Sequence, residues 1–434
     1  MNNNAKKQIV ILGAGFGGIK AAFSLYAKLK RLKLLDKYEI ILVDKNAYHT
    51  YTPTLYEIAT TSKAIANHIR LKSIVTYPLA EIFKGKNIRI VKKSVMSVDL
   101  IGGDIHFKDN DRLKFNYLIL ALGSEINYFN IPGLEDNALT LKSFQDAIKL
   151  RDFIWNKVDS NDNQKEIKIV IGGGGSTGVE LAGELKSWLY ELDKELKRCK
   201  FSVKIIDGAP SILNGFDEKI VKKVFQRLKD IGVGIVTNEI VDKVEPEKII
   251  LKSGQLVPYD ILIWAGGTKA VNLTENFPLQ RERSGKIQVF GKMECLPQSK
   301  DLKLYGKIYG LGDAICFYDS DTNRPIPQVV EAAIDQAKIV SYNITEDIKF
   351  TEKLILFPEH KTYAPNKEFP YIIPVGGKYA VAKFGPIIFW GFPAWVLKGL
   401  VELYYLLFNV MPPLQAFKIW IRGLLIFIKN DRLG

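Results

Sequence analysis

The stretch Gly13-Ala14-Gly15-Phe16-Gly17-Gly18 constrains this chain more than any other. Before it, Gln8-Ile9-Val10-Ile11-Leu12 reads as a short buried strand, and after it residues 19–34 carry apolar side chains at helical spacing. The glycines therefore fall at a strand-to-helix turn, the setting in which Gly-x-Gly-x-x-Gly binds a dinucleotide. Gly13 makes the tight turn, Gly15 lets backbone approach a pyrophosphate, and Gly18 allows close packing of helix on strand. The helix N-terminus then faces the phosphate charge. One such motif is equally consistent with a tight turn that binds nothing. The next strand, 38–43, ends at Asp44, placed to accept a hydrogen bond from a ribose hydroxyl, although farther from Gly18 than is usual.

The whole device occurs again. Ile167-Lys168-Ile169-Val170-Ile171 leads into Gly173-Gly174-Gly175-Ser176-Thr177-Gly178, a helical pattern follows, and the strand 201–206 ends at Asp207. Two complete copies are hard to explain as packing and read as two dinucleotide sites.

At 434 residues the chain has room for two or three domains, and 47% hydrophobic residues with 34 glycines suit an α/β protein. A net charge of +14 favours anionic partners. No nucleic-acid module or basic–aromatic stripe is present, so nucleic acid is not expected and anionic lipid is preferred. The plain alternative is that surface lysines serve solubility, and Lys28, Lys30, Arg31 and Lys33 read as a solvated helix end. Cys199, Cys295 and Cys316 are few, odd in number and far apart. Without a C-x-x-C or C-x-x-x-x-C pair, neither a disulfide framework, a metal site nor a dithiol relay is expected. Residues 1–7 run into the first strand with no apolar leader, which predicts a cytoplasmic body.

Between the two devices, residues 45–56 form an aromatic, threonine-rich loop with Pro53, able to lie along a flat ring system or to serve as a packed connection. His49 in it reads as structural rather than as an acid or base. Short strands fill 88–116, and a buried strand over 115–122 runs into Gly123. Ile131-Pro132-Gly133 is a break near which a domain crossing is placed. In the second unit Glu180 falls in the first helical turn, where the dipole favours a carboxylate and from where it could also point at the reactive end of a nucleotide. Tyr259-Asp260-Ile261-Leu262-Ile263-Trp264 runs into Ala265-Gly266-Gly267. The strand ending at Gly312-Asp313 offers Asp313 to a polyol chain, and a helix starts near Pro327. Residues 384–408 are strongly apolar, but Pro393, Lys398 and Glu402 spoil a clean membrane span. Residues 417–429 are basic and apolar together, as an interfacial helix requires. A buried hairpin, a dimer interface and a transmembrane helix are the alternatives.

Together these residues resemble the type II NADH:quinone oxidoreductases, members of the two-dinucleotide-binding flavoproteins. The resemblance covers nearly the whole chain. It rests on residues 11–18, on Tyr48-His49-Thr50-Tyr51-Thr52-Pro53-Thr54-Leu55-Tyr56, on 120–124 and on Gly173 through the run Val179-Glu180-Leu181-Ala182-Gly183-Glu184-Leu185. Trp264-Ala265-Gly266-Gly267, Gly310-Leu311-Gly312-Asp313 and the apolar tail complete it. It implies an α/β fold with two Rossmann-like domains in a glutathione-reductase-like arrangement and a C-terminal helical, membrane-associating region. The expected boundaries are 1–132 and 271–345 for the FAD-binding domain, 133–270 for the NAD(H)-binding domain and 346–434 for the C-terminal region.

By the same resemblance, FAD lies over Gly13, Gly15, Gly17 and Gly18, with Asp44 and Lys45 at its ribose. Gly123 and Asp313 line its ribityl region, and Thr52 and Pro53 lie against its ring. NADH lies over Gly173, Gly175 and Gly178. Asp207 takes the adenosine ribose and repels the phosphate of NADPH, and Glu180, Ala265, Gly266 and Gly267 flank the nicotinamide. Glu331 and Gln336 line a site for a membrane quinone. The implied reaction passes hydride from NADH to flavin and on to quinone without proton pumping, in a peripheral, monotopic protein on the cytoplasmic face of the membrane that could form a homodimer. The chain departs from the family's usual Ala-Gln-x-Ala-x-Gln-Gln. It reads Val330-Glu331-Ala332-Ala333-Ile334-Asp335-Gln336, with acids in place of two glutamines. Another acceptor, such as oxygen or a redox protein, therefore stays open. So do a non-catalytic FAD-bound membrane protein and a chain that binds no cofactor.

Overall fold

Short runs of Val, Ile and Leu without polar alternation must be covered on both faces, which is the environment of a parallel strand flanked by helices. The computed structural model describes residues 6–160, 165–196, 200–319, 322–366 and 368–430. Cys199 and residues 1–5, on which part of the leader expectation rests, lie outside the described residues. The chain divides into two compact units. The first comprises Met1–His49, Tyr77–Glu125 and Thr268–Lys367, and the second Thr50–Thr76, Ile126–Gly267 and Glu368–Gly434.

In the first unit a five-stranded parallel sheet has the order Ile308–Gly310, Tyr117–Leu120, Lys7–Leu12, Tyr38–Asp44, Ile88–Lys92. Ile9, Val10, Ile11 and Leu12 are fully buried in it. The register sets Leu12 beside both Val43 and Leu120, and Gly310 beside Leu120. Gly13, Asp44, Gly123 and the Gly312-Asp313 turn therefore leave the sheet at its carboxyl end, where α/β sheets bind ligands. The helices Phe16–Arg31 and Val330–Thr351 pack together, and Ser341 Oγ donates to the Ala21 carbonyl at 3.3 Å. A three-stranded antiparallel sheet, Val95–Asp99, Asp104–Phe107 and Arg112–Lys114, completes the unit.

The second unit repeats the plan. Its parallel sheet has the order Ala138–Thr140, Ile261–Trp264, Ile167–Gly172, Phe201–Ile206, Val233–Val236. An antiparallel sheet follows, Val241–Glu245, Lys248–Leu251 and Leu256–Pro258. The C-terminal part of this unit opens with a third sheet, Tyr371–Pro374, Ala380–Phe384 and Ile387–Gly391, so the apolar run from Phe384 begins as strand. It continues as the helix Phe392–Tyr405, a π-helical stretch Leu406–Val410 and the helix Pro413–Asn430. Pro393 sits in the first turn, where its missing N–H interrupts nothing. Trp420 Nε1 donates to the Gly399 carbonyl at 2.7 Å and ties the two helices together. Among the described residues no helix is long and apolar enough to cross a membrane.

Candidate active site

Gly13 adopts φ +109°, and a Cβ there would lie 2.1 Å from the Ala121 carbonyl oxygen. A Cβ on Gly18 would lie 1.9 Å from the Gly13 carbonyl oxygen. These two glycines permit the turn itself. Gly17 lies under the return segment, its Cβ position 2.3 Å from Leu311 Cδ1 and 3.2 Å from the Ala333 carbonyl. Gly15 differs, because nothing lies within 4 Å of a Cβ there. It stands at the N-terminus of Phe16–Arg31, which has no side-chain cap and no acid in its first turn. Bare backbone, the N-terminal end of the helix and its dipole thus face an open space, which fits a pyrophosphate. Asp44 takes the Ala14 N–H on one oxygen at 2.8 Å and the Asn46 N–H on the other at 2.7 Å. Each oxygen keeps a second lone pair for a ribose hydroxyl. Lys45 beside it is exposed.

Across the same sheet edge, Gly123 has φ +72° with open space at its Cβ position. Ser124 Oγ donates to Asp313 Oδ2 at 3.1 Å, and Gln328 Nε2 to the Asp313 carbonyl at 3.2 Å. Gln336 is fully buried, and its Oε1 accepts the Gly312 N–H at 2.8 Å, so it holds the turn that presents Asp313. Glu331, one turn earlier on the helix, is exposed; burial of its carboxyl and the neighbouring Asp335 both raise its pKa. His49 is buried, with Nδ1 3.0 Å from the Ala14 carbonyl and the Phe16 ring set edge-on at 4.9 Å. Burial lowers its pKa to about 4, so it is a neutral structural group. The residues of this unit fit FAD.

The second unit carries the same geometry. Gly173 also has φ +109°, and a Cβ on Gly178 would lie 1.9 Å from the Gly173 carbonyl oxygen. Gly175 again has nothing within 4 Å, and Ser176 and Thr177 are exposed. Asp207 accepts from the Gly174 N–H with one oxygen and from the Ala209 N–H at 2.6 Å with the other. The turn opens on a cleft of about 590 Å³ lined by Gly173, Asp207, Glu239, Asp242, Trp264 and Gly266 among others. A Cβ on Gly266 would lie 2.4 Å from Trp264 Cζ2, so its bareness makes room for the indole. The indole N–H donates to the Asn127 carbonyl at 2.8 Å. Ala265 N donates to the Gly172 carbonyl at 2.7 Å, and Gly267 takes φ +142° beside the Phe129 ring. Glu180 lies past the first turn of Ser176–Leu196, which holds no acid, because the helix begins at Ser176 and not at the last motif glycine; it is half-buried, and burial pushes its pKa up to about 8. Thr52 and Pro53 are exposed in the turn Thr52–Thr54. The residues fit a nicotinamide dinucleotide at the cleft.

Two glycine turns of one geometry, each closed by an aspartate at the neighbouring strand end, are the signature of a two-dinucleotide protein. The sequence pattern of the pyridine nucleotide-disulphide oxidoreductases matches residues 7–337. The chain belongs to that family. Among the described residues Cys295 and Cys316 are free, buried thiols whose pKa values burial raises. No group that could hold a metal ion occurs among the described residues. The type II NADH:quinone oxidoreductase of Haemophilus influenzae is 27% identical over 370 residues, 78% of this chain and 80% of that protein. The Staphylococcus aureus protein of the same name is 26% identical over 372 residues, covering 80% and 86%. These relatives bear out the resemblance read from the sequence. In fold, the chain is similar to NDH2 from Plasmodium falciparum, solved in complex with NADH, with a TM-score of 0.80, 18% identity and 99% of each chain covered.

Sequence reasoning missed Gln328 at the Asp313 turn and Glu239 and Asp242 on the cleft, which sit in no motif and are brought there only by the fold; Ser124 stood in the 120–124 run but was given no role.

Proposed function

We propose that this chain is an FAD-dependent enzyme that oxidises NADH and reduces a membrane quinone without pumping protons. The observation that carries the reading is the pair of matched glycine turns, one covered by its own return segment and the other open on a cleft. The curated relatives, named for NADH and quinone, support the same substrates. FAD, when bound, supplies the two-electron chemistry. Gly13, Gly15, Gly17 and Gly18 with Asp44 and Lys45 hold its pyrophosphate and ribose, Gly123 and Asp313 its polyol, and Thr52 and Pro53 border its ring. Gln336 positions Asp313. Gly173, Gly175 and Gly178 hold the NADH pyrophosphate. Asp207 binds the adenosine ribose and rejects a 2′-phosphate by charge. Ala265, Gly266 and Gly267 flank the nicotinamide, with Glu180 beside them holding a proton at neutral pH. Glu331 lines the acceptor site.

The protein works at the cytoplasmic surface of a membrane. Phe392, Leu400, Tyr404, Phe408, Leu414, Phe417 and Leu425 expose apolar side chains, and Lys418, Arg422 and Lys429 are exposed among them. That combination suits the boundary between acyl chains and anionic headgroups. A second copy, forming a homodimer, is the rival occupant of this face. Flotation with anionic vesicles decides between them, because lipid binding requires co-flotation that salt weakens.

The test of the activity is anaerobic. A flavin spectrum that bleaches with NADH rather than NADPH and returns on adding a soluble quinone supports the reading. Bleaching without return points to another acceptor at Glu331 and Asp335. Absence of bleaching refutes the enzyme.

A further inference from the structure

A strained turn stands at the cleft of the second unit. Phe129 and Asn130 both take positive φ, +51° and +54°. Among the described residues no other two adjacent non-glycine residues do so. Asparagine enters that region at little cost, whereas a bulky aromatic residue there is an outlier. Neighbours hold the turn in place. Asn127 Oδ1 accepts the Phe129 N–H at 2.9 Å, and the Asn127 N–H donates to the Gly267 carbonyl at 3.1 Å. The Trp264 indole donates to the Asn127 carbonyl, and beyond the turn the Val244 N–H donates to the Pro132 carbonyl at 2.9 Å.

Burial does not offset this strain. Phe129 is 55% exposed and lines the cleft. Its ring leans on Gly267, where a Cβ would lie 3.2 Å from Cζ, and meets the Trp264 ring edge-on at 6.5 Å. A large apolar ring left exposed at a conformational cost belongs to a ligand site rather than to a core. The strand order decides which end of a dinucleotide it meets. Ile261–Trp264 and Phe201–Ile206 flank Ile167–Gly172 on opposite sides. Asp207 follows one flanking strand, and Ala265-Gly266-Gly267 follows the other. Glu239 stands with Asp207, whose carbonyl accepts its N–H at 3.1 Å, and Phe129 stands with Gly267. A dinucleotide whose pyrophosphate lies at the glycine turn straddles the central strand. With its adenosine at Asp207, its nicotinamide half comes to Phe129.

Resting on the function proposed above, we propose that Phe129 is a binding residue for the nicotinamide half of the dinucleotide, its ring serving that half as an aromatic platform. The strained backbone presents the ring before the ligand arrives, so no ordering of a loop opposes binding. Gly267, bare of a side chain, gives the ring its place.

The test uses the oxidised flavoprotein and two ligands that share the adenosine half. NAD+ carries nicotinamide and ADP-ribose lacks it, and titration calorimetry reads each affinity without turnover. Phe129→Ala weakens NAD+ binding by about tenfold and leaves ADP-ribose binding within about twofold. Phe129→Tyr keeps the ring and restores NAD+ binding. If Phe129→Ala does not fold, Phe129→Leu, which keeps apolar bulk and lacks a flat face, carries the same test. Unchanged NAD+ affinity on loss of the ring, or an equal loss for ADP-ribose, overturns the proposal. So does Phe129→Tyr binding NAD+ as poorly as Phe129→Ala. A wild-type protein that binds NAD+ while NADH never bleaches its flavin sinks the proposed enzyme instead, and the calorimetry remains readable in that case.

Discussion

The two glycine turns are nearly superimposable in their constraints and differ in their cover. Both first glycines take φ +109°, and both last glycines leave 1.9 Å between a Cβ and the carbonyl oxygen of the first. The third motif glycine of the first copy, Gly17, lies against Leu311 and Ala333, whereas the matching residue of the second copy is the exposed Thr177. In the first unit the segment from Ile308 to the helix Val330–Thr351 returns over the turn. In the second, the turn opens on a cleft of about 590 Å³. On the proposed reading one peptide device serves two tasks: covered by its own chain it would retain a resident cofactor, and open to solvent it would exchange a substrate.

Four experiments test this difference between the two turns. The largest effect belongs to the residues the two turns share. Gly18→Ala and Gly178→Ala each press a methyl into a carbonyl oxygen, cost about 3 kcal/mol or more, and yield little folded protein, as solubility and thermal melting will read. Next come opposite pH responses. His49 in the first unit falls from 6.5 to about 4, so its unfolded form binds a proton first and stability drops as pH falls from about 6.5 to 4, by about 3 kcal/mol at full extent. Glu180 and Glu402 in the second unit rise from 4.5 to about 8 and about 7. Their unfolded forms lose protons first, so stability drops as pH rises from about 4.5 to 8. Amide exchange followed separately in each unit should show the two trends. One common trend would refute the assignment.

Cofactor-specific losses follow. Gly15→Val and Gly175→Val project into open space, so thermal stability stays within about 1 kcal/mol while ligand room is lost. The first should release FAD on gel filtration. The second should keep its yellow colour and raise the KM for NADH by about tenfold or more. Equal FAD loss in both would mean that the two turns are not assigned as proposed. The smallest effect is Asp207→Asn, which removes one charge from an acidic cleft and should narrow the NADH-over-NADPH ratio in kcat/KM by about tenfold, a little over 1 kcal/mol. An unchanged ratio would shift the discrimination to Glu239 and Asp242.

Much of this was legible in the chain. The strand–glycine–helix units and the aspartates at 44 and 207 are local patterns, because a turn that needs φ > 0 admits few residues and a doubly covered strand admits few polar ones. The roles of individual residues were less legible. Gln336 reads as a residue of the acceptor site, and the structure shows its amide oxygen holding the Gly312 N–H. Gly17 reads as a phosphate contact, and the structure sets it under Leu311. Lys398 and Glu402 read as charges that spoil an apolar span, yet Lys398 pairs with Glu57, more than three hundred residues earlier, and Glu402 is buried.

Sequence alone determined what short-range sterics and periodicity can encode: two Rossmann-like units, their glycine turns, the aspartates at the neighbouring strand ends and an apolar, basic C-terminal region. Tertiary structure decided which turn is covered, which carboxyls lose their water, and that residues 50–76 and 368–434 join the second unit. Burial, desolvation and pairing depend on neighbours far away in the chain, and no local pattern carries that information.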